Sequence, residues 1–256
     1  AENFYLNDEF DKVQMIFKKF KKVDEFYYWF RLKKEAQIII QELDYENGIK
    51  YIDSKFNKIE NPNIKMIFDL ANFYKNSKNY EKAIDRYTEI ILTLDDNSLI
   101  KSDVLYRRGG SYERMGNYEK SDEDLLHALK IDPSDAYILN YLAYSWLERD
   151  YKINEAMDML KTAYDLKSND PYIIDSIGWA YFLIEDYVEA EKYLKRAVEL
   201  MPDDPIVNDH YGDILWKLNR KIQARYFWNN VLTFDDTEDD MREKINIKVI
   251  EGLKNS

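Results

Sequence analysis

The sequence predicts an all-α solenoid built from stacked helical hairpins. Three observations predict it. A pattern of small and aromatic residues recurs about every 34 to 38 residues, clearest in Gly178, Tyr181, Ala190, Leu194, Ala197 and Pro202, and again in Gly109, Tyr112, Ser121, Leu125, Ala128 and Pro133. The tetrapeptide Asn-Tyr-Glu-Lys stands at both 79–82 and 117–120. Hydrophobic residues make up 45% of the chain, enough for a core that runs through every hairpin. A period of this length marks repeated units, each of which buries its apolar face only against the next.

The elements follow in order. Residues 1–28 read as the second half of a partial unit, with Val13, Phe17 and Phe20 in the apolar positions of a second helix. Its first helix would precede residue 1, which implies a truncated or processed chain with further repeats upstream. Residues 29–63 form a degenerate unit carrying Trp29, Ala36, Ile39, Gly48 and Ile52, with Lys55 where a small residue is expected. Regular units cover 64–101, 102–135, 136–170, 171–204 and 205–236. The unit at 136–170 has one extra residue in its turn, around Lys152. The link from Asp95 to Asp103 is longer than the others, so a bend is expected there. Residues 237–256 form a capping helix with Met241, Ile245, Val249 and Leu253 on one stripe, opened by a capping box of Thr237 and Asp240. A stack of hairpins needs such a terminal helix to close its exposed core.

Physical chemistry accounts for the residue types. Gly or Ala lets paired helices approach closely, and a larger side chain would overpack the seam at about 1–3 kcal/mol. Gly costs nearly 1 kcal/mol in a helix interior, so Gly178 and Gly212 must serve packing. Pro133, Pro171, Pro202 and Pro205 fall at helix ends or first turns, where a missing N–H is harmless. Asn79, Asn117 and Asp186 precede second helices as N-caps.

Composition restricts function. The formal charge is −12, which favours solubility and opposes binding to nucleic-acid phosphates. There is no Cys, hence no disulfide, thiolate catalysis or Cys-based zinc site. No apolar run reaches membrane-spanning length. The two histidines, His127 and His210, lie in different units and read as surface or seam residues. No phosphate loop, nucleophile elbow or dinucleotide fingerprint is present. The acids at 235–240 lack the Gly and closing Glu of a calcium loop and suit a helix start instead. No enzyme activity, cofactor or metal is expected. The run Phe26-Tyr27-Tyr28-Trp29-Phe30, preceded by Lys18, Lys19, Lys21 and Lys22, reads as packing between degenerate repeats rather than as an interfacial helix.

Residues 64–234 resemble the tetratricopeptide (TPR) repeat family. Within it, Leu139-Asn140-Tyr141-Leu142-Ala143-Tyr144-Ser145-Trp146, Asp175-Ser176-Ile177-Gly178-Trp179-Ala180, Asn208-Asp209-His210-Tyr211-Gly212-Asp213 and Ala224-Arg225-Tyr226-Phe227-Trp228 resemble the last repeats of long bacterial envelope proteins. Some of those relatives are outer-membrane lipoproteins that bind and activate a carboxyl-terminal processing protease. The resemblance implies a right-handed superhelix, a periplasmic, outer-membrane-associated location with the cytoplasm as the alternative, and an adaptor role. It also implies that certain first-helix positions face a concave groove. Here these are Tyr106, Tyr137, Asn140, Tyr144, Tyr172, Asp175, Trp179, Phe182, Asp209, Asp213 and Trp216. Asn140, Asp175 and Asp209 share one repeat position and would form a polar ladder flanked by aromatics, the mixture a peptide groove uses. Acids in the last two units favour a basic or neutral protein or peptide partner over a terminal carboxylate. The expected function is therefore a non-enzymatic scaffold, with self-association or a regulatory module of a larger protein as alternatives. Membrane contact is expected only through an upstream anchor.

Overall fold

The computed structural model describes residues 12, 15, 16, 25–235 and 237–253, without the side chains of 25–27. The expected apolar positions Val13, Phe17 and Phe20, the lysines at 18, 19, 21 and 22, and the side chains of Phe26 and Tyr27 lie outside the described residues. From Glu25 onward the described residues form helices joined by short turns, with no strand. They are α1 (Glu25–Glu42), α2 (Tyr45–Phe56), α3 (Ile64–Asn76), α4 (Tyr80–Ile91), α5 (Leu99–Arg114), α6 (Tyr118–Ile131), α7 (Ala136–Leu147), α8 (Ile153–Leu166), α9 (Pro171–Leu183), α10 (Tyr187–Leu200), α11 (Pro205–Lys217), α12 (Lys221–Val231) and α13 (Asp239–Glu251). The chain divides into two units, 1–124 and 125–256.

In the first unit α1 packs on α2, α3 on α4, and α4 on α5. Gly48 brings α2 onto α1: a Cβ there would stand 2.4 Å from Cγ1 of Ile40 and 3.0 Å from the Ala36 carbonyl. Trp29 is buried and meets Phe56 edge-on at 5.5 Å, the packing role expected of the aromatic run at this residue. Carboxylates join neighbouring hairpins. Asp69 accepts from Trp29 Nε1 at 3.1 Å and from Lys33 Nζ at 2.6 Å. Asp53 accepts from the Tyr74 hydroxyl and from Lys82 Nζ, the latter at 2.6 Å. Arg108 grips Asp124 with two bonds of 2.8 and 2.7 Å and reaches Thr88 at 2.9 Å. Helix α5 begins at Leu99, so much of the long link expected from Asp95 to Asp103 is helical.

In the second unit the hairpins are α7/α8, α9/α10 and α11/α12, and α13 packs on α12. Each second helix also packs on the next first helix, and α9 touches both α7 and α11. The first helices therefore stand side by side as one layer. Asp135, Asp170 and Asp204 cap α7, α9 and α11, each accepting two backbone N–H bonds. Such a cap contributes about 1 kcal/mol. Pro171 and Pro205 occupy the first turns, as their missing N–H allows. Asn79, Asn117 and Asp186 cap the second helices as expected.

The tight turns of the hairpins α3/α4, α5/α6, α9/α10 and α11/α12 place a left-handed residue before the second helix: Lys78, Gly116, Glu185 and Asn219. The extra residue around Lys152 is absorbed by two left-handed positions, Asp150 and Lys152. The core of the second unit runs from Ile174, Ala190, Leu194 and Ala197 to Tyr211, Leu215, Ala224, Trp228 and Ile245. The stripe of α13 packs on it as expected, Ile245 fully and Met241, Val249 and Leu253 in part. The expected capping box is not formed. Glu238 is the N-cap residue, and the buried Thr237 hydroxyl donates instead to the Val231 carbonyl at 2.7 Å, tying the turn back to α12.

Candidate binding surface

The layer of first helices in the second unit carries most of the expected site. Tyr137 and Tyr172 stand at equivalent positions in the first turns of α7 and α9 and are 47% and 57% exposed. Lys167 lies over the Tyr137 ring at 4.5 Å and donates to its hydroxyl at 3.3 Å. One to three turns further along the same helices come Asn140, Tyr144, Trp179 and Phe182, all half-buried. Tyr106 is half-buried on α5 and belongs to the other unit.

Trp179 is the centre of a ring stack. Its indole lies parallel to the His210 imidazole at 4.1 Å and to Phe182 at 4.7 Å. Its Nε1 donates to Glu148 Oε1 at 2.9 Å. Glu148 was missed by residue pattern because it follows the end of α7 and meets Trp179 only through the stacking of hairpins. Burial, and then Glu148, Asp175 and Asp209, raise the Tyr144 hydroxyl well above its ordinary value, so it stays a neutral donor.

Of the three residues expected to form a polar ladder, Asp175 and Asp209 are engaged within the protein. Asp175 is only 5% exposed, and its Oδ2 lies 2.8 Å from Nδ1 of the buried His210. Burial opposes charge on that imidazole. The Asp175 carboxylate, helped by Asp209 and Asp213, outweighs it and raises His210 above its ordinary value. His127 is exposed, so the two histidines divide into surface and seam. Asp213 is 4% exposed; its Oδ1 accepts from Trp228 Nε1 at 2.9 Å. Lys248 of α13 then bridges the acids, 2.6 Å from Asp209 Oδ1 and 2.8 Å from Asp213 Oδ2. Burial, with Asp209 beside it, pushes Asp213 up to about 7 against the pull of Lys248 and His210.

Trp216 is covered as well. Arg225 and Lys221 lie over its ring at 4.8 and 5.0 Å, and the backbone of Gly252 lies against it. Lys248 and Gly252 were invisible as site residues, because only the docking of α13 brings them to α11. Among the described residues no group of three or more His, Asp or Glu side chains is placed to hold a metal ion, and no helix is long and apolar enough to cross a membrane.

The tetratricopeptide repeat family profile matches residues 36–233. The chain belongs to the tetratricopeptide repeat family. A TPR repeat-containing protein of Pseudomonas aeruginosa is 30% identical over 110 residues, 43% of this chain and 18% of that protein. The lipoprotein NlpI homolog of Haemophilus influenzae is 26% identical over 126 residues, 49% of this chain and 40% of that protein. Anaphase-promoting complex subunit 3 of Schizosaccharomyces pombe is 22% identical over 116 residues, 45% of this chain and 16% of that protein. The chain thus spans less than half the length of each of these relatives.

Among solved structures, a tetratricopeptide repeat protein of Parabacteroides merdae superposes with a TM-score of 0.62 at 16% identity, covering 87% of both chains. PilF of Pseudomonas aeruginosa gives 0.58 at 19% identity, covering 74% of this chain and 85% of its own. These likenesses concern the fold. Proteins of this family generally mediate protein–protein interactions and are typically non-catalytic scaffolds.

Proposed function

We propose that this TPR protein is a non-enzymatic scaffold that captures a protein or peptide partner on the first-helix layer of its second unit. The observation that carries this is the pair Tyr137 and Tyr172. Two tyrosines at one repeat position project from adjacent helices beside the Trp179 stack. Large, rigid rings with a polar tip are the residues that dominate protein interfaces. Asn140 and Tyr144 follow Tyr137 along α7, and Glu148 at its end bonds Trp179. A basic or neutral contact segment suits Glu148, the acid exposed at this surface.

Similarity to the NlpI homolog supports a place in the bacterial periplasm at the outer membrane. In that setting the scaffold recruits or activates a periplasmic protease by holding it near its target. Crosslinking of the full-length protein in its native cells, read by mass spectrometry, identifies the partner. Capture of that partner is then expected to weaken by roughly tenfold or more in Tyr137→Ala with Tyr172→Ala, a combined loss of about 1.4 kcal/mol or more. Undiminished capture by the double variant overturns the reading.

A further inference from the structure

Three residues expected to meet a partner in the last repeat are covered by one segment of the chain itself. Asp209 and Asp213 hold the Lys248 ammonium through three contacts of 2.6 to 2.9 Å. Trp216 lies under Gly252, where an added Cβ would fall 1.9 Å from the indole. Lys248 and Gly252 stand four residues apart, about one turn, and engage α11 as an intermolecular ligand would.

The receptor is organised from behind. Trp228 donates to Asp213, which orients that carboxylate independently of the lysine. The two ends of α13 are attached differently. Arg242 donates to the carbonyls of Leu232, Phe234 and Thr237, and this anchors the first turn to the preceding loop. Ile245 is the one fully buried residue of the helix. Beyond it the attachments include Lys248, a 2.8 Å bond from Arg225 to the Val249 carbonyl, partial burial of Val249 and Leu253, and the Gly252 contact. Ile247 and Ile250 in this half are exposed, Ile250 to 76%.

We propose that the α11 face is a receptor for a lysine-bearing helical segment of a partner, and that α13 is its resident occupant, displaced when the partner offers the same chemistry. The proposal rests on the scaffold reading and adds the partner's chemistry and a gate. A glycine one turn after the lysine completes the match, because only a bare backbone fits flat on Trp216.

The test uses the full chain labelled with nitrogen-15 and an unlabelled synthetic peptide of residues 237–253. Hydrogen exchange by mass spectrometry reads the chain's own amides at 246–252. Excess peptide is expected to raise their exchange several-fold. The same peptide with Lys248→Gln leaves it unchanged, and so does Asp209→Asn with Asp213→Asn in the chain relative to that variant's own baseline. In the chain carrying Lys248→Gln, half-effect comes at roughly tenfold lower peptide. No rise with the lysine peptide, or equal rises with both peptides, overturns the proposal. Capture through Tyr137 and Tyr172 is measured separately, so either idea can fail while the other stands.

Discussion

Gly212 of α11 lies against Trp228 of α12 so closely that a Cβ on the glycine would stand 2.4 Å from Nε1 and 2.5 Å from Cδ1 of the indole. Trp228 cannot retreat. It is fully buried, and its Nε1 is bonded to Asp213. In an open helix Gly→Ala gains up to about 1 kcal/mol. Here overpacking prevails, and Gly212→Ala is expected to lose about 1–3 kcal/mol. Urea unfolding followed by tryptophan fluorescence checks the sign. A gain in stability would mean that Trp228 can yield to the added methyl.

A second expectation concerns the first unit. Arg108 and Asp124 form a two-pronged ion pair with side chains only 17% and 8% exposed. Arg108→Met leaves a buried carboxylate without its partner and is expected to cost about 3–5 kcal/mol. Adding Asp124→Asn removes the stranded charge and should recover much of that loss. A double-mutant cycle in urea measures the coupling, and strict additivity of the two changes would deny that the pair acts as a unit.

These seams differ in how legible they were. Gly178, Gly212 and the small residues of the second helices repeat at fixed intervals, and their packing partners follow from the same intervals. A Cβ on Gly178 would lie 2.8 Å from Cγ of Leu194, within the repeat to which both belong. Asp170 and Asp204 directly precede proline and could have been read as caps by that order alone. The ladder position was legible too, but not its direction. Whether Asp175 faces solvent or His210 depends on contact between successive hairpins, 35 residues apart in sequence. Lys248 lies further outside the pattern, because α13 is not a repeat and nothing periodic registers it against α11. Thr237 and Asp240 had capping-box spacing, yet burial of the Thr237 hydroxyl near Val231 gave it another acceptor.

Burial of Asp175 changes how a charge reversal should behave. Asp175→Lys places an ammonium beside His210, which burial already penalises and which only nearby carboxylates hold charged. Combined with Trp179→Ala, it also removes the ring stacked on that imidazole. The expected outcome is a destabilised second unit, seen as a fall in thermal midpoint by circular dichroism, together with lost capture. Asp175→Asn keeps the shape and should cost less. If Asp175→Lys melts like the parent chain, the Asp175–His210 contact contributes little to stability.

The same network sets a pH dependence whose sign can be worked out. His210 is raised above its ordinary 6.5 by Asp175, Asp209 and Asp213 acting against burial. The folded state therefore prefers the charged imidazole. That stabilisation is full below about 6.5 and is lost as pH rises through the higher folded value. Asp213 is raised from 3.8 to about 7, chiefly by burial and then by Asp209. Its folded state prefers the proton, so its contribution is present at low pH and disappears as pH climbs from about 4 to about 7. Both groups act in one direction. The second unit is expected to be more stable near pH 6 than near pH 8, and the transition that reports on it should melt lower at the higher pH. His210→Gln removes the part of the slope above pH 6.5, and Asp213→Asn flattens the part below pH 7. Differential scanning calorimetry from pH 5 to 8 at constant ionic strength reads both. A midpoint that rises between pH 6 and 8 would mean that Asp175 and Asp209 do not hold a proton on His210 in the folded chain.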